Sequence, residues 1–286
     1  MKYRFIEENK GVYPQNLMGK VLGISRSGFY AWKSRDVKQA TKDLRLLRAI
    51  EDIHRSSRKT YGSPRIFSQL KALGFKTSKS KVERLMRENK IRAKMKRKFK
   101  ATTNSKHDHP VAKNILNRNF APEAVNKVWA GDITYIWTKE GWLYLAVILD
   151  LFSRQVVGWS MSERMTKGLA INALSMAITK RRPPKGLIHH TDRGSQYACS
   201  SYRKILKLIG AICSMSRKGN CWDNACVESF FHSLKTEMTF FEEFETRAEA
   251  VSKIFEWIEV FYNRQRIHSF LGNKTPEQFE NLANCA

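Results

Sequence analysis

The sequence predicts an α/β unit, a mixed sheet of five strands with helices, preceded by an all-helical and strongly basic region. Three observations predict it. Of the formal net charge of +26, residues 1–120 supply 31 Lys+Arg against 9 Asp+Glu, whereas residues 121–286 supply 21 against 17. Apolar residues recur at helical spacing in the first part and from Val128 onward alternate or run continuously, as strands do. Finally, Asp132, Asp192 and Glu228 fall on separate predicted elements of the second part. A chain of 286 residues can bury a sizeable core and is long enough for two domains or more.

Between Tyr13 and Arg35, Leu17, Met18, Val21 and Leu22 have helical spacing, Gly23 breaks it, and a second short segment carries Phe29, Tyr30 and Trp32. This is the outline of a helix-turn-helix, and also of any small helical hairpin. A helix is expected over Thr41–His54, with Leu46, Leu47, Ile50 and Ile53 on one side. Ser63-Pro64 offers an N-cap and a first-turn proline, Ile66, Phe67, Leu70 and Leu73 a stripe, and Gly74 a stop. Ser78 then caps a helix in which Val82, Leu85 and Met86 face inward and Lys79, Lys81, Arg84 and Arg87 face outward. It makes the better helix-turn-helix candidate, with a cationic face for DNA. The run IRAKMKRKFK, with Lys94, Lys96, Arg97 and Lys98, continues the helix or lies extended along a phosphate backbone. So concentrated a positive field favours double-stranded DNA as partner, since Lys and Arg contacts to phosphates release counterions.

Residues 1–100 are thus expected to bind DNA and residues 101–122, which lack a sustained period, to form a linker. In that linker His107, Asp108 and His109 read as solvated rather than as ligands. Strands follow over Val128–Trp137, Trp142–Asp150 and Arg154–Met161, joined by stretches short enough for hairpins. A helix over Lys167–Arg181 ends before Pro183-Pro184, and Leu187–His190 is a short buried strand with Asp192 just past it. A helix over Ser200–Ile209, a fifth strand over Ala211–Met215 and the helix carrying Glu228 complete a domain spanning residues 123–240. Residues 241–286 read as a helical extension packed on the core. They hold a helix over Arg247–Tyr262, with Val251, Ile254, Phe255 and Ile258 as its stripe, and a last one after Thr275-Pro276.

Three carboxylates on separate elements suggest one divalent-metal site. Hard cations such as Mg2+ take oxygen ligands and retain waters that substrate phosphates can replace. Two such ions, roughly 3.5–4 Å apart, serve the attacking and leaving oxygens of phosphoryl transfer. An aspartate in a strand as rich in Ile, Tyr and Trp as that of Asp132 needs compensation if buried. Lys235 lies about two helical turns past Glu228, on the same face, and suits a neighbouring phosphate. Glu237 is rotated to the opposite side. Asp150 reads as a strand-end turn former and Asp223 as an N-cap for the Glu228 helix. His190 either orients Asp192 or alternates with His189 across a strand. Arg193, Lys218 and Asn220 lie in polar loops suited to a DNA backbone, to which Arg264 and Arg266 add C-terminal contacts.

Ser195 has no base arranged for nucleophilic serine chemistry. The five cysteines, an odd number without a secretory leader, imply free thiols in a reducing compartment, and Cys221 and Cys226 near His232 read as packing rather than zinc ligands. No apolar run approaches the roughly 20 residues that span a bilayer, so no membrane partner and a cytoplasmic location are expected.

The stretches WAGDITYI, HTDRGSQY, SMSRKGNCWDNACVESFFHSLKTE and YNRQRIHSFLGNKTPEQF span Trp129–Phe279, with 35 residues between Asp192 and Glu228. This pattern resembles the DDE (D, D-35-E) core of retroviral-type integrases and bacterial transposases, and more closely the OrfB transposase of the IS3 family of insertion sequences. The resemblance implies an RNase H-like fold with the first acid in mid-strand, the second after the fourth strand and the third on a late helix. It implies that Asp132, Asp192 and Glu228 are catalytic and bind two Mg2+ (or Mn2+) ions. The implied reaction is cleavage at the element's end to a 3′-OH, then attack of that 3′-OH on another phosphodiester, giving circularisation and integration. The implied partners are the terminal inverted repeats, target DNA and further copies of the chain in a synaptic complex, in a bacterial, nucleoid-associated setting. Because no sustained heptad occurs, an upstream OrfA-type protein or frameshift fusion is a further expected partner. A catalytically idle DNA-binding regulator and a nuclease that cuts without joining share parts of the pattern.

Overall fold

Helices α1 (Lys2–Glu8), α2 (Gln15–Leu22) and α3 (Arg26–Ser56) open the chain. The structure, a computed structural model, describes residues 1–94, 111–217 and 220–284. Lys96, Arg97, Lys98, His107, Asp108, His109 and Lys218 lie outside the described residues. Gly23 ends α2 in the left-handed region, φ 64°, which a residue without Cβ reaches at no steric cost. Ile6, Met18 and Phe29 form the small core beneath. Leu17 and Val21, expected in the stripe, are instead exposed, because α1 supplies Ile6 and α2 turns Met18 and Leu22 toward it. The expected short second helix and the helix over Thr41–His54 are one continuous helix of 31 residues, with no Gly or Pro between Tyr30 and Thr41 to end it.

Helix α4 (Ser63–Ala72) starts from Gly62 as N-cap, so Ser63 is its first residue rather than its cap, and Pro64 sits in the first turn where no amide hydrogen is missed. In α5 (Lys79–Glu88) the Ser78 hydroxyl accepts from the Lys81 amide at 3.3 Å, and Val82, Leu85 and Met86 are buried. Helices α3, α4 and α5 pack on one another within a first unit, Met1–Ala93.

The second unit, Lys94–Ala286, is built on five strands. These are β1 (Val128–Thr138), β2 (Gly141–Asp150), β3 (Val156–Ser162), β4 (Ile188–Thr191) and β5 (Ile212–Met215), in the order β3-β2-β1-β4-β5. The first three are antiparallel and β1, β4 and β5 parallel, which is the RNase H-like arrangement. Gly141 opens β2 at φ 110°, which lets the two-residue Lys139-Glu140 turn close. The Asp150 carboxylate accepts from the amides of Phe152 and Asn126 and from the Trp129 indole, fixing the next turn. It serves that turn as expected.

Helix α6 (Lys167–Arg181) packs on β2 and β3. Next come α7 (Ser195–Ala198), α8 (Ser200–Leu208), α9 (Ala225–Glu237), α10 (Arg247–Glu256) and α11 (Pro276–Asn284). Alternation along β1 divides the core. Val128, Ala130 and Ile136 join Phe230, Phe231 and Leu234 of α9, whereas Trp129 joins Leu169, Ala173 and Ala177 of α6. Asp132 has the parity of Ala130 and so belongs to the α9 side.

Helix α10 continues as a π-helix over Trp257–Tyr262. Trp257, Ile258 and Phe261 are buried, while Phe255, expected in the stripe, is exposed against the edge of Trp159. The Asn263 side-chain amide donates to the Val156 carbonyl and accepts from its amide, pairing with β3 as another strand would. Among the described residues no helix is long and apolar enough to cross a membrane.

A Cβ at Gly158 would lie 2.3 Å from the Ala173 carbonyl oxygen and 2.7 Å from the Ala177 nitrogen. Because both obstacles are backbone, Gly158→Ala must push α6 off the sheet. We expect it to cost at least about 2 kcal/mol in urea unfolding, whereas a well-tolerated change costs under about 1.5.

Candidate active site

Parallel pairing of β4 beside β1 places Gly131 opposite Thr191. The next residue on each strand is an aspartate, so Asp132 and Asp192 sit side by side at the end of the pairing. The Asp132 Oδ1 accepts from the Ile133 amide at 2.8 Å and the Asp192 Oδ1 from the Gly194 amide at 2.9 Å, which orients each carboxylate. Glu228 comes from the first turn of α9, which packs on β1. Burial first, then the charge of Asp192, then that of Glu228 push the Asp132 carboxyl well above its ordinary range, opposed by the Ile133 amide and Lys235. Burial also raises Glu228. Lys235, seven residues further along α9, is lowered by burial and held up by Tyr135 and Asp132, and its Nζ lies 5.1 Å from the Tyr135 ring centre.

Thus Asp132 senses both other acids and Lys235. Among the described residues no three His, Cys, Asp or Glu side chains form a ready ligand cage. The donor set fits a hard cation nonetheless, being made of carboxylate oxygens that repel one another in a poorly hydrated place.

The histidines do not orient Asp192. His190 bonds to the Ser214 and Ser216 hydroxyls at 2.9 and 3.1 Å, and His189 to the Tyr202 hydroxyl at 2.7 Å. Burial lowers their pKa values to about 4 and about 3. Asp223 is not a cap: fully buried, it accepts from Arg217, Arg118 and Asn114, and the two guanidiniums hold its carboxyl below the usual range. Two basic side chains converging on it outcompete helix capping, and neither was singled out from sequence. Asn220 accepts from Arg118 at 3.0 Å, and the Arg193 Nε donates to the Ser216 carbonyl at 2.7 Å, so both brace the loop ahead of α9.

Arg266 is not available to DNA. It is buried against Glu237, 2.5 Å away, which explains why that acid points away from the site. Arg264 lies 3.6 Å from Glu277 and is half exposed. The outer face of α5 is less cationic than its sequence suggests. Lys81 and Arg84 pair with Asp43 on α3, Arg84 also with Glu88, and Lys79 with Glu83, while Arg87 and Lys94 are exposed. The exposed pairs of Arg84 with Glu88 and Lys79 with Glu83 are worth about 0–1 kcal/mol, so a phosphate can displace them, whereas Lys81–Asp43 is more buried.

Tyr197, the last residue of the HTDRGSQY stretch, has no role that its sequence context suggests. It is buried, its hydroxyl has no hydrogen-bond partner among the described residues, and burial, Asp132, Tyr202 and Asp192 raise its pKa. Only the fold reveals this, because α7 returns it toward the two aspartates.

The chain matches the family described as "Integrase core domain" over residues 122–221 and a second so described over 228–283, and an "HTH-like domain" over 41–99. An integrase core behind a helix-turn-helix-like module defines a polynucleotidyl transferase acting on DNA. The chain is 45% identical over 288 residues to the transposase InsF for insertion sequence IS3A of Escherichia coli, covering 98% of this chain and 99% of that one. It is 50% identical over 265 residues to an uncharacterized 31 kDa protein of insertion element IS600 from Shigella sonnei, covering 92% and 97%. The chain belongs to the IS3-family insertion-sequence transposases. Solved structures similar to it include a simian T-cell lymphotropic virus intasome (19% identity, 81% of this chain and 74% of that one, TM-score 0.48). Another is the HTLV-2 integrase catalytic core in complex with magnesium (20% identity, 55% and 98%, TM-score 0.40).

Two measurements follow from these electrostatics. Removing one of two neighbouring charges by Asp192→Asn should stabilise the protein in EDTA, and Mg2+ at a hundredfold its Kd should stabilise wild type by about 2.7 kcal/mol but the variant little. Thermal shift with and without Mg2+ checks both. His189 stays neutral in the fold to about pH 3, whereas in the unfolded chain it takes up a proton below 6.5. Between those values the unfolded state binds more protons, so the stability this residue confers is complete above 6.5 and declines as pH falls. From pH 7.5 to 5, His189→Gln should lose roughly 2 kcal/mol less than wild type in urea titrations.

Proposed function

We propose that this chain cleaves DNA at insertion-sequence ends and transfers the resulting 3′-OH to another phosphodiester, leading to circularisation and integration. The observation that carries the reading is the β1–β4 register, which sets Asp132 beside Asp192 on the side of the sheet that meets Glu228. These three acids are the catalytic residues and hold two Mg2+ or Mn2+ ions, which when bound polarise the phosphodiester and the attacking oxygen. The Ile133 and Gly194 amides keep Asp132 and Asp192 oriented. Lys235, half-buried on the helix that carries Glu228, steadies a DNA phosphate next to the acids. Arg193, Lys218 and Asn220 follow the DNA backbone.

Residues 1–100 bind the terminal inverted repeats through Lys79, Lys81, Arg84, Arg87, Lys94, Lys96, Arg97 and Lys98, and residues 101–122 link them to the catalytic domain. Residues 123–240 carry the chemistry, with 241–286 as an extension packed on it. Several copies pair the ends in a synaptic complex within the bacterial cytoplasm, with an OrfA-type protein or fusion completing end recognition.

An in vitro joining assay on a native end precleaved to its 3′-OH tests the proposal. Wild type with Mg2+ should give a joined product, while Glu228→Gln and Asp132→Asn should lower its rate about a hundredfold or more and still bind duplex. Cleavage without joining, or equal joining by the variants, contradicts it.

A further inference from the structure

Lys235 also lines a cavity of about 880 Å³ whose other walls have no role in the reaction proposed above. It is formed where the β1–β2 hairpin meets the end of α9 and the segment after it, and Tyr135, Trp137, Trp142, Lys235, Glu242 and Glu243 are among its lining. Trp137 is 59% exposed and Trp142 43%, on a chain that buries Trp129 and Trp257 completely. Two large rings left in water next to each other are costly unless something covers them. Trp137 and Trp142 meet edge to face at 4.8 Å and 74°, and Tyr135 and Trp142 at 5.0 Å and 85°, contacts that still leave much of both tryptophans exposed.

We propose that this cavity receives an unpaired nucleobase of the DNA end. The proposal rests on the transposase reading. Its chemistry is that of a base and not of a phosphate alone. Ring faces stack on any base, and a carboxylate such as the exposed Glu243 accepts hydrogen bonds from exocyclic amines, whereas Glu242 is paired with Lys253 at 2.7 Å. Lys235 joins the cavity to the acids, since its ammonium is on the cavity wall and within electrostatic reach of Asp132. A nucleotide whose base stacks on the outer face of the exposed Trp137 can therefore place its phosphate at Lys235, which also lines the cavity. Unpairing the end in this way draws the strand to be cut away from its complement. A volume of this size accepts a base with its sugar.

The test compares, by fluorescence polarisation in EDTA, a blunt duplex with three ends of equal sequence. One has its last three base pairs frayed by mismatch, the second has abasic nucleotides in the frayed strand, and the third is fully paired with a nick as a flexibility control. Wild type should bind the frayed end about five- to tenfold more tightly than the blunt or nicked one, and the abasic end no better than the blunt one. Trp137→Ala, an exposed position, should abolish the preference while keeping blunt-duplex affinity, and Trp137→Phe should retain most of it. Equal binding of frayed and blunt ends, a preference that survives abasic substitution, or a preference unchanged in Trp137→Ala each overturns the proposal; the last two would mean a phosphate site, or a cavity filled by a partner protein or by the chain itself. Loss of all duplex binding by wild type would overturn the transposase reading along with it, whereas blunt binding without preference overturns the base pocket alone.

Discussion

The parallel pairing of a four-residue strand beside the centre of the sheet is what the rest of the catalytic unit depends on. Strand β4 spans only Ile188–Thr191, yet it brings Asp192 next to Asp132 across sixty positions of sequence. The arrangement is electrostatically unfavourable in itself, since burial and mutual repulsion both raise Asp132. Stability must come from elsewhere, and the two apolar clusters on either side of the sheet provide it. Such a local conflict within an otherwise consistent fold is typical of a functional site.

The surroundings hold that conflict in place. The buried histidines bond sideways to Tyr202, to Ser214 of β5 and to Ser216 just past it, tying β4 to its outer neighbours rather than to the acids. Asp223, with Arg217 and Arg118, anchors the loop ahead of α9 and so sets where Glu228 enters. At the far side Glu280 accepts from Arg181 and Ser153, fastening α11 to the β2–β3 turn and to α6. The C-terminal helices are therefore part of the same packed unit as the sheet, as the aromatic group of Phe230, Trp257 and Tyr262 also indicates.

Much of the fold was legible in the sequence because its signals are local. Alternation in β1, the continuous apolar run of β2 and the prolines after α6 fixed those elements to within a residue or two. What was not legible depends on tertiary partners. The exposure of Val21 is set by α1, a helix too short to announce itself, whereas the continuity of α3 follows from the lack of Gly or Pro after Tyr30. Phe255 is exposed although Ile254 and Ile258 on the same helix are buried, a difference that periodicity alone does not carry. Near the acids, spacing and strand order pointed to Asp132, Asp192 and Glu228, but pairings between distant residues leave no trace in sequence. Asp223 with Arg118, Arg266 with Glu237 and Tyr197 beside the aspartates could be found only in three dimensions.

We propose that three acids distant along the chain surround one cation site. Iron-directed backbone cleavage measures this directly: Fe2+ bound in place of Mg2+ generates hydroxyl radicals that cut only nearby chain, and mass spectrometry locates the cuts. The account predicts three clusters of cuts, around Asp132, Asp192 and Glu228, all suppressed by excess Mg2+. Cleavage confined to one of these segments, or scattered along the chain and insensitive to Mg2+, would contradict it.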